Sequence, residues 1–333
     1  MSNKQINSTA EAAINSFIEG AAKPFLAQHP APSLAELERW RPAKTQWNQV
    51  RKLQTRLSGL QRKSKMVDGL TLYYLEGGDP RKPTVVLLHG FGSNKENWLL
   101  MSGFLKAKYH LVIPDLPGYG ESEFNPHKDY RLSLQAERLS QLVSLITTRP
   151  VHLVGNSMGG ATAAVWAAHF PQQVMTITLM NSAGLRGNKV TQFETLLVEG
   201  KNPLIPRSYK EVAALFKLAT YQRPNLFSWA ITPIIYRDFI HRSIVNHRLF
   251  SDAIVVDEGL ISILEDIQQP TLIMWGAEDA ILDVSCAEEI KTYLPEAEEV
   301  VFPKVGHLPM LEAPLKTANA LKQFWKKNTI SKP

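Results

Sequence analysis

The chain has 333 residues, a formal net charge of +6 and 44% hydrophobic residues, which is the composition of an ordinary globular protein. Its single cysteine, Cys286, excludes an internal disulfide framework, and no apolar run is long enough to span a bilayer. Although the net charge is positive, the sequence contains neither a zinc-binding pattern nor a basic recognition helix, so no nucleic-acid partner is expected. The N-terminus has no features of a secretory signal, which predicts a cytoplasmic protein.

Residues 1–65 are predicted to form a helical and basic appendage. Its first half carries apolar residues at helical spacing: Ile14, Phe17, Ile18, Ala21 and Phe25. Basic residues follow from Arg51 to Lys65. An apolar stripe with basic residues suits peripheral association with an anionic membrane surface through the N-terminus. The stripe is short and is limited by Pro24, however, which favours the alternative that it packs on the rest of the protein.

From residue 66 onward, short apolar strands alternate with helical segments. The strand-like runs are "TVVLLHG", "HLVIPD", "VHLVGN", "VMTITLMN" and "TLIMWG". This alternation predicts an α/β fold with a mostly parallel sheet and helices on both faces. Between residues 185 and 266 the strands stop and the chain becomes helical and aromatic, which predicts an inserted helical cap. The core of the fold is therefore assigned to residues 66–184 and 267–330.

A serine lies where one of these strands turns into an Ala-rich helix. In "VGNSMGG", Gly155 and Gly159 flank Ser157 and match the Gly-x-Ser-x-Gly nucleophile elbow. The strained turn needs glycines because it brings neighbouring backbone segments close together. The free N–H groups at the start of the following helix favour negative charge beside the serine. A glycine-rich loop with an incidental serine is the alternative, so the assignment depends on finding a base and an acid.

Two later loops supply a base and an acid. "VGHLPMLEAP" places His307 after the last predicted strand, and "WGAEDAILD" places Asp279 after another strand. A serine nucleophile needs a base, and the base needs an acid that orients it. The chain order Ser157, Asp279, His307 is the order expected for a nucleophile elbow of this type.

Three other carboxylates compete with Asp279 for the role of the acid. Asp283 is better explained as the cap of the helix that follows it. Glu278 is less well aimed by the Trp-Gly-Ala turn, and Glu312 is expected to belong to the final helix. The preceding strand ends at Asn181, which cannot carry the charge. Asp279 is therefore the predicted acid.

The loop "HGFGSNKENW" is predicted to hold the oxyanion of the reaction. The backbone N–H of Phe91 is expected to pair with that of Met158, which follows the nucleophile. His89 is expected to brace this loop and not to act as a base. The spacings of a zinc site and of a phosphate-binding loop are absent from the sequence, so no cofactor is expected.

The motifs occur in the order typical of one large enzyme family. "HGFGSNKENW", "DLPGYGES", "VGNSMGG", "WGAEDAILD" and "VGHLPMLEAP" resemble the landmarks of the α/β-hydrolase superfamily over residues 66–325. A nearer resemblance, carried by "NSAGL", "PLIP" and "WGAEDAILDVS", is to alpha/beta-hydrolase domain-6-type monoacylglycerol lipases and related cold-adapted bacterial lipases. The resemblance implies a triad of Ser157, Asp279 and His307, with Phe91 and Met158 as the oxyanion hole. It further implies hydrolysis of monoacylglycerols or related acyl esters through an acyl-enzyme.

Two alternative functions stay open at this point. "VGNSMGGATA" also resembles the carbon–carbon bond hydrolases of ring-fission dienoates, although these usually have a proline in the oxyanion loop, where this chain has Phe91-Gly92-Ser93. A ligand-binding member of the fold without catalysis is the other alternative, against which an intact triad counts. Relatives of the mammalian type carry a transmembrane N-terminus, whereas this chain shows only the amphipathic, basic one.

Overall fold

A computed structural model describes residues 21–43, 46–222, 232–254 and 260–330. The described residues form an eight-stranded sheet in the order β1-β2-β4-β3-β5-β6-β7-β8. The strands are β1 (Gln61–Val67), β2 (Leu70–Gly77), β3 (Thr84–Leu88), β4 (His110–Pro114), β5 (Val151–Asn156), β6 (Val174–Met180), β7 (Thr271–Gly276) and β8 (Glu298–Phe302). The pairs that involve β2 are antiparallel and all other pairs are parallel. The predicted α/β fold with a mostly parallel sheet is thereby confirmed.

Helices cover both faces of this sheet. They are α1 (Lys23–Gln28), α2 (Leu34–Arg39), α3 (Gln46–Ser58), α4 (Leu99–Ser102), α5 (Leu132–Ser144), α6 (Met158–His169), α7 (Gln192–Val198), α8 (Tyr209–Ala219), α9 (Thr232–His241), α10 (Ser243–Ala253), α11 (Leu260–Glu265), α12 (Ser285–Tyr293), α13 (Pro309–Glu312) and α14 (Pro314–Ile330). One core cluster contains Trp166 and Trp275, and the cluster on the other face contains Trp98 and Trp325. The central strands are buried along their whole length and are mostly apolar, because helices cover both of their faces.

The cap predicted between residues 185 and 266 contains helices α7 to α11. Helix α7 begins with a capping box in which Thr191 and Glu194 exchange hydrogen bonds with each other's backbone N–H groups. Helix α10 anchors the cap on the core through Val245 and Leu249, both 0% exposed. The cap thus rests on the sheet domain through apolar contacts.

The apolar residues of the first described helix are buried where they meet the cap. Helix α1 has Pro24 in its first turn, and Phe25 is 5% exposed. Phe25 packs in one cluster with Phe193 and Leu197 of the cap, and its ring meets that of Phe250 edge to face at 6.0 Å. The predicted stripe therefore packs on the protein over its described part. Its earlier members Ile14, Phe17 and Ile18 lie outside the described residues.

The basic stretch that was assigned to the appendage has two different environments. Arg51 is only 4% exposed and forms an ion pair with Asp238 at 3.2 Å. Residues 61–65 belong to β1 and pair with β2, so the sheet begins earlier than the predicted core boundary at residue 66. Residues 61–65 carry no apolar pattern that would predict a strand, because all five are polar or charged and exposed. Among the described helices, none combines the length and the apolar character that crossing a bilayer requires.

We expect a buried histidine in the sheet to make the fold sensitive to acid. His152 of β5 is 0% exposed, lies 2.8 Å from Thr176 Oγ1 and stacks on Trp325. Burial lowers its pKa from 6.5 to about 4. Between these two pH values, His152 is therefore protonated in the unfolded chain and neutral in the folded chain. This contribution to stability is present above pH 6.5 and is lost as the pH falls toward 4, at up to about 1.4 kcal/mol per pH unit.

Urea unfolding between pH 4 and 7 measures this slope. The double variant His152→Phe with Thr176→Val keeps an aromatic ring stacked on Trp325. It removes the imidazole and the threonine hydroxyl that lies against it. The free energy of unfolding of this variant should fall less steeply with decreasing pH than that of the wild type. The difference in slope should correspond to the uptake of up to one proton on unfolding. An identical slope in both proteins would show that His152 is not a source of the acid sensitivity.

Candidate active site

The turn between β5 and α6 holds Ser157 in a strained backbone conformation. Its φ is +56°, which a non-glycine residue rarely adopts. A Cβ on Gly155 would lie 2.0 Å from the carbonyl oxygen of Gly159, and one on Gly159 would lie 2.6 Å from that of Leu88. The glycines on both sides are thus required by close backbone contacts, as predicted. The N–H of Ser157 donates to Met180 O at 3.0 Å and ties the turn to the next strand.

His307 and Asp279 form a hydrogen-bonded pair on neighbouring loops. His307 Nδ1 lies 2.7 Å from Asp279 Oδ2, and the two residues are 5% and 7% exposed. Asp279 also accepts hydrogen bonds from Asn181 Nδ2 at 2.7 Å and from the N–H groups of Ile281 and Leu282 at 2.8 and 3.0 Å. Because the carboxylate is the acceptor, Nδ1 of His307 is the donor and Nε2 is left as an acceptor. The ring is therefore fixed in the tautomer that a general base needs.

The histidine loop is tied to the nucleophile turn and to the cap. Asn156, which precedes Ser157, donates from Nδ2 to the carbonyl oxygen of His307 at 3.1 Å. The N–H of His307 donates to Ala219 O at the end of α8, at 3.0 Å. The structure thus brings Ser157 and His307, which the sequence separates by a long interval, to the same carboxyl edge of the sheet.

The three competing carboxylates all bind elsewhere. Asp283 Oδ1 accepts from the N–H and the hydroxyl of Ser285 at the start of α12, at 3.0 and 2.6 Å. Glu278 accepts from Val305 N at 3.0 Å. Glu312 accepts from four backbone N–H groups: Tyr221, Gln222, Gly306 and Leu308. Burial raises the pKa of Glu312 above its ordinary value. Glu278 and Glu312 therefore shape the histidine loop, a role the sequence analysis did not assign to them.

The loop after β3 contains the predicted oxyanion residue Phe91. No backbone carbonyl in the described ranges accepts from its N–H, and Met158 begins α6, where N–H groups have no partner within the helix. The ring of Phe91 packs edge to face against Tyr119 at 5.7 Å, and the hydroxyl of Tyr119 lies 3.5 Å from Met158 Sδ. One tyrosine thus braces both residues that were predicted to form the oxyanion hole.

His89 is a structural residue of the same loop, as predicted. It is 0% exposed, its Nδ1 lies 2.8 Å from Gly90 O, and its Nε2 accepts from Leu116 N at 3.0 Å. Burial lowers its pKa to about 4, so the ring is neutral at physiological pH. A neutral ring with both nitrogens engaged braces the loop and has no free nitrogen for catalysis.

A buried lysine braces the loop after β3, and no sequence pattern indicates its burial. Lys95 is 0% exposed, and its Nζ donates to Asp115 and Glu121 at 2.7 Å each. Its backbone N–H donates to Asp115 Oδ1 at 2.8 Å. Burial opposes the charge of Lys95, yet the carboxylates of Asp115, Glu96 and Glu121 raise its pKa above the ordinary value. The charge pairs therefore join the oxyanion loop to the Gly-rich loop after β4.

An apolar cavity of about 230 Å³ begins at Ser157. On one side it follows α6, whose residues Met158, Ala161 and Val165 recur at helical spacing. The cap closes the other side with Leu185, Phe193, Leu204, Phe250, Ile254 and Ile263. This lining suits an extended hydrocarbon chain.

Comparison with known proteins agrees with this geometry. The profile of the alpha/beta hydrolase fold matches residues 83–314. The chain is 32% identical to the monoacylglycerol lipase ABHD6 of Bos taurus over 76% of this chain and 78% of that protein. It is likewise 32% identical to Lipase 1 of Psychrobacter immobilis over 78% and 82% of the two chains. Among solved structures, a membrane phospholipase A described as a bacterial virulence factor superimposes with a TM-score of 0.82 at 34% identity, covering 85% of this chain and 91% of that one.

Proposed function

The chain belongs to the alpha/beta hydrolase family, and from this premise we propose that it cleaves carboxylic esters through an acyl-enzyme on Ser157. Its named relatives are lipases and a phospholipase, so the activity of this chain is that of a lipase or esterase in general. The family resemblance noted in the sequence is thereby confirmed. The observation that carries the finer proposal is the buried His307–Asp279 pair beside a serine at φ +56°.

The proposed reaction assigns one role to each of these groups. Nε2 of His307 takes the proton of Ser157 as Oγ attacks the acyl carbonyl, and the N–H groups of Phe91 and Met158 hold the oxyanion. The imidazolium then gives its proton to the departing alcohol. Water repeats the sequence on the acyl-enzyme and releases the acid. Asp279 keeps the ring in place and stabilises its charge throughout.

Monoacylglycerols and medium-chain esters are the proposed substrates. The apolar cavity beside Ser157 accommodates an acyl chain, while two of the cap arginines are engaged elsewhere. Arg242 donates to the carbonyl oxygens of Gly118 and Gly120, and Arg248 forms an ion pair with Asp252 at 2.9 Å. Neither arginine lines the cavity, whose lining is mostly apolar. Of the cationic residues that do line it, Arg186 is paired with Glu194 at 2.8 Å and Lys189 is exposed. This supports an uncharged acyl ester over a ring-fission dienoate.

We expect initial rates to be higher on uncharged acyl esters than on ring-fission dienoates. Medium-chain p-nitrophenyl esters and monoacylglycerols should be turned over with a higher kcat/KM than a ring-fission dienoate, because the lining of the cavity is mostly apolar. A series of acyl lengths on both ester types, with triacylglycerols included, measures the preference. A dienoate turnover number above that of every ester would support the carbon–carbon bond hydrolase instead. Binding of acyl esters without turnover would support the ligand-binding alternative.

Peripheral membrane association through the N-terminus stays a proposal, and it rests on exposed basic residues alone. Phe25 packs into the cap, and Arg51 is bound to Asp238, so neither faces outward. Lys52, Arg56, Lys63 and Lys65 are exposed and provide the remaining attraction to an anionic surface.

A further inference from the structure

A buried asparagine of the cap has hydrogen-bonding groups that the fold does not use. Asn246, in the middle of α10, is 0% exposed. Across the described part of the chain, neither Nδ2 nor Oδ1 of this side chain has a hydrogen-bond partner. Buried amides are almost always paired, so an asparagine with both atoms unused requires an explanation. Its role in the fold does not provide one.

The unused amide lies against the oxyanion loop. A Cβ on Gly92, the residue after Phe91, would be 3.7 Å from Asn246 Nδ2 and 3.7 Å from the carbonyl oxygen of Leu204. Among the described residues other than Gly92 and its two chain neighbours, no further atom comes within 4 Å of that position. Phe91 and Leu204 both line the cavity that begins at Ser157. Asn246 itself is not among the described lining residues, so its amide lies directly behind the lining, beside the backbone of the residue that follows the predicted oxyanion donor.

The amide is held in this place by the packing of its helix. The N–H of Asn246 donates to Arg242 O at 2.8 Å, and the Arg242 guanidinium donates to the carbonyl oxygens of Gly118 and Gly120. Val245 and Leu249 on the same helix are 0% exposed. These contacts fix the backbone position of α10, and complete burial limits the conformations that the Asn246 side chain can adopt.

The chemistry of an acyl ester identifies the missing partner. The acyl chain has no polar atoms and matches the apolar lining of the cavity. The alcohol half of a monoacylglycerol carries free hydroxyl groups close to the scissile ester. We propose that Asn246 and the Leu204 carbonyl bind a free hydroxyl of the alcohol half, which makes Asn246 a residue that determines specificity. Nδ2 donates to the hydroxyl oxygen, and the hydroxyl proton is donated to Leu204 O. This inference rests on the proposed ester hydrolysis.

A pair of esters with the same acyl chain tests the assignment. The measured quantity is the ratio of kcat/KM for a monoacylglycerol to kcat/KM for the ethyl ester of the same acid, which has no free hydroxyl. Asn246→Leu keeps a side chain of similar size and removes both polar atoms. It should lower the ratio about ten-fold or more, because the glycerol hydroxyl then loses its donor in a buried site. Asn246→Ala should lower the ratio in the same direction and serves if the leucine variant does not fold.

A control on the same helix separates specificity from disturbance of the cap. Ser251→Ala removes a hydroxyl that donates to His247 O within α10, and its ratio should equal that of the wild type. A ratio that is unchanged in both Asn246 variants would overturn the proposal. An equal loss on both esters would also overturn it, because it would assign Asn246 a structural role. Wild-type protein that hydrolyses neither ester would refute the proposed function itself.

Discussion

Replacement of Ser157 by alanine is expected to abolish ester hydrolysis, with a loss in kcat on the order of 10⁴-fold or more. The reaction as proposed forms its covalent bond at Ser157 Oγ, and the neighbouring groups cannot substitute for it. His89 has both ring nitrogens engaged, and the thiol of Cys286 is buried with its pKa raised to about 12. Rates on a p-nitrophenyl ester measure the loss, and circular dichroism shows whether the fold is kept.

Covalent labelling identifies the nucleophile independently of turnover. A fluorophosphonate probe should modify the wild type at Ser157 alone and leave the alanine variant unmodified, as peptide mass mapping would show. Modification of another residue, or esterase activity in the alanine variant, would refute the assignment of Ser157.

Asp279→Asn is expected to lower kcat by about three to four orders of magnitude while the protein remains folded. The carboxylate accepts from His307 Nδ1 and from the N–H groups of Ile281 and Leu282. An asparagine offers one acceptor oxygen in place of two, so its NH₂ group must face one of these donors. If it faces His307, the ring adopts the other tautomer and Nε2 can no longer accept the serine proton. Steady-state rates across pH 6 to 9 measure the effect.

Asp283→Asn is the matched control for this prediction. The residue lies four positions along the same loop, and its Oδ1 accepts from Ser285 at the start of α12. An asparagine oxygen serves nearly as well there, so activity should stay close to that of the wild type. If the Asp283 variant is the inactive one and the Asp279 variant is active, the acid has been assigned to the wrong residue.

The core of the site could be predicted because its signals are local. Ser157, Asp279 and His307 each follow a strand end, and parallel strands bring their carboxyl ends to one edge of the sheet. The glycines of the elbow could be explained before the structure because their neighbours in sequence define the turn. These inferences needed only the position of a residue relative to the strand before it.

The residues that support the site could not be found in this way. Asn181 was considered only as a rejected acid, yet it donates to Asp279 from a distant part of the chain. Lys95 and Asn246 look like surface residues in the sequence, and only the packing of loops and cap shows that both are buried. Their roles depend on contacts between segments far apart in the chain, for which no periodic pattern exists. The Asn181 contact alone could have been anticipated, because its strand neighbours the one that ends before Asp279.

The burial of Phe25 has a consequence for the order in which the protein is made. Helix α1 leaves the ribosome early, whereas the residues that cover Phe25 include Phe250, and Ile281 belongs to the same cluster. At about 5–20 residues per second, synthesis takes on the order of tens of seconds to reach them. During that interval the nascent chain displays an aromatic side chain that has no site to occupy. The first helix of the described residues is thus among the last to be buried, and chaperones that bind exposed apolar segments can act during that interval.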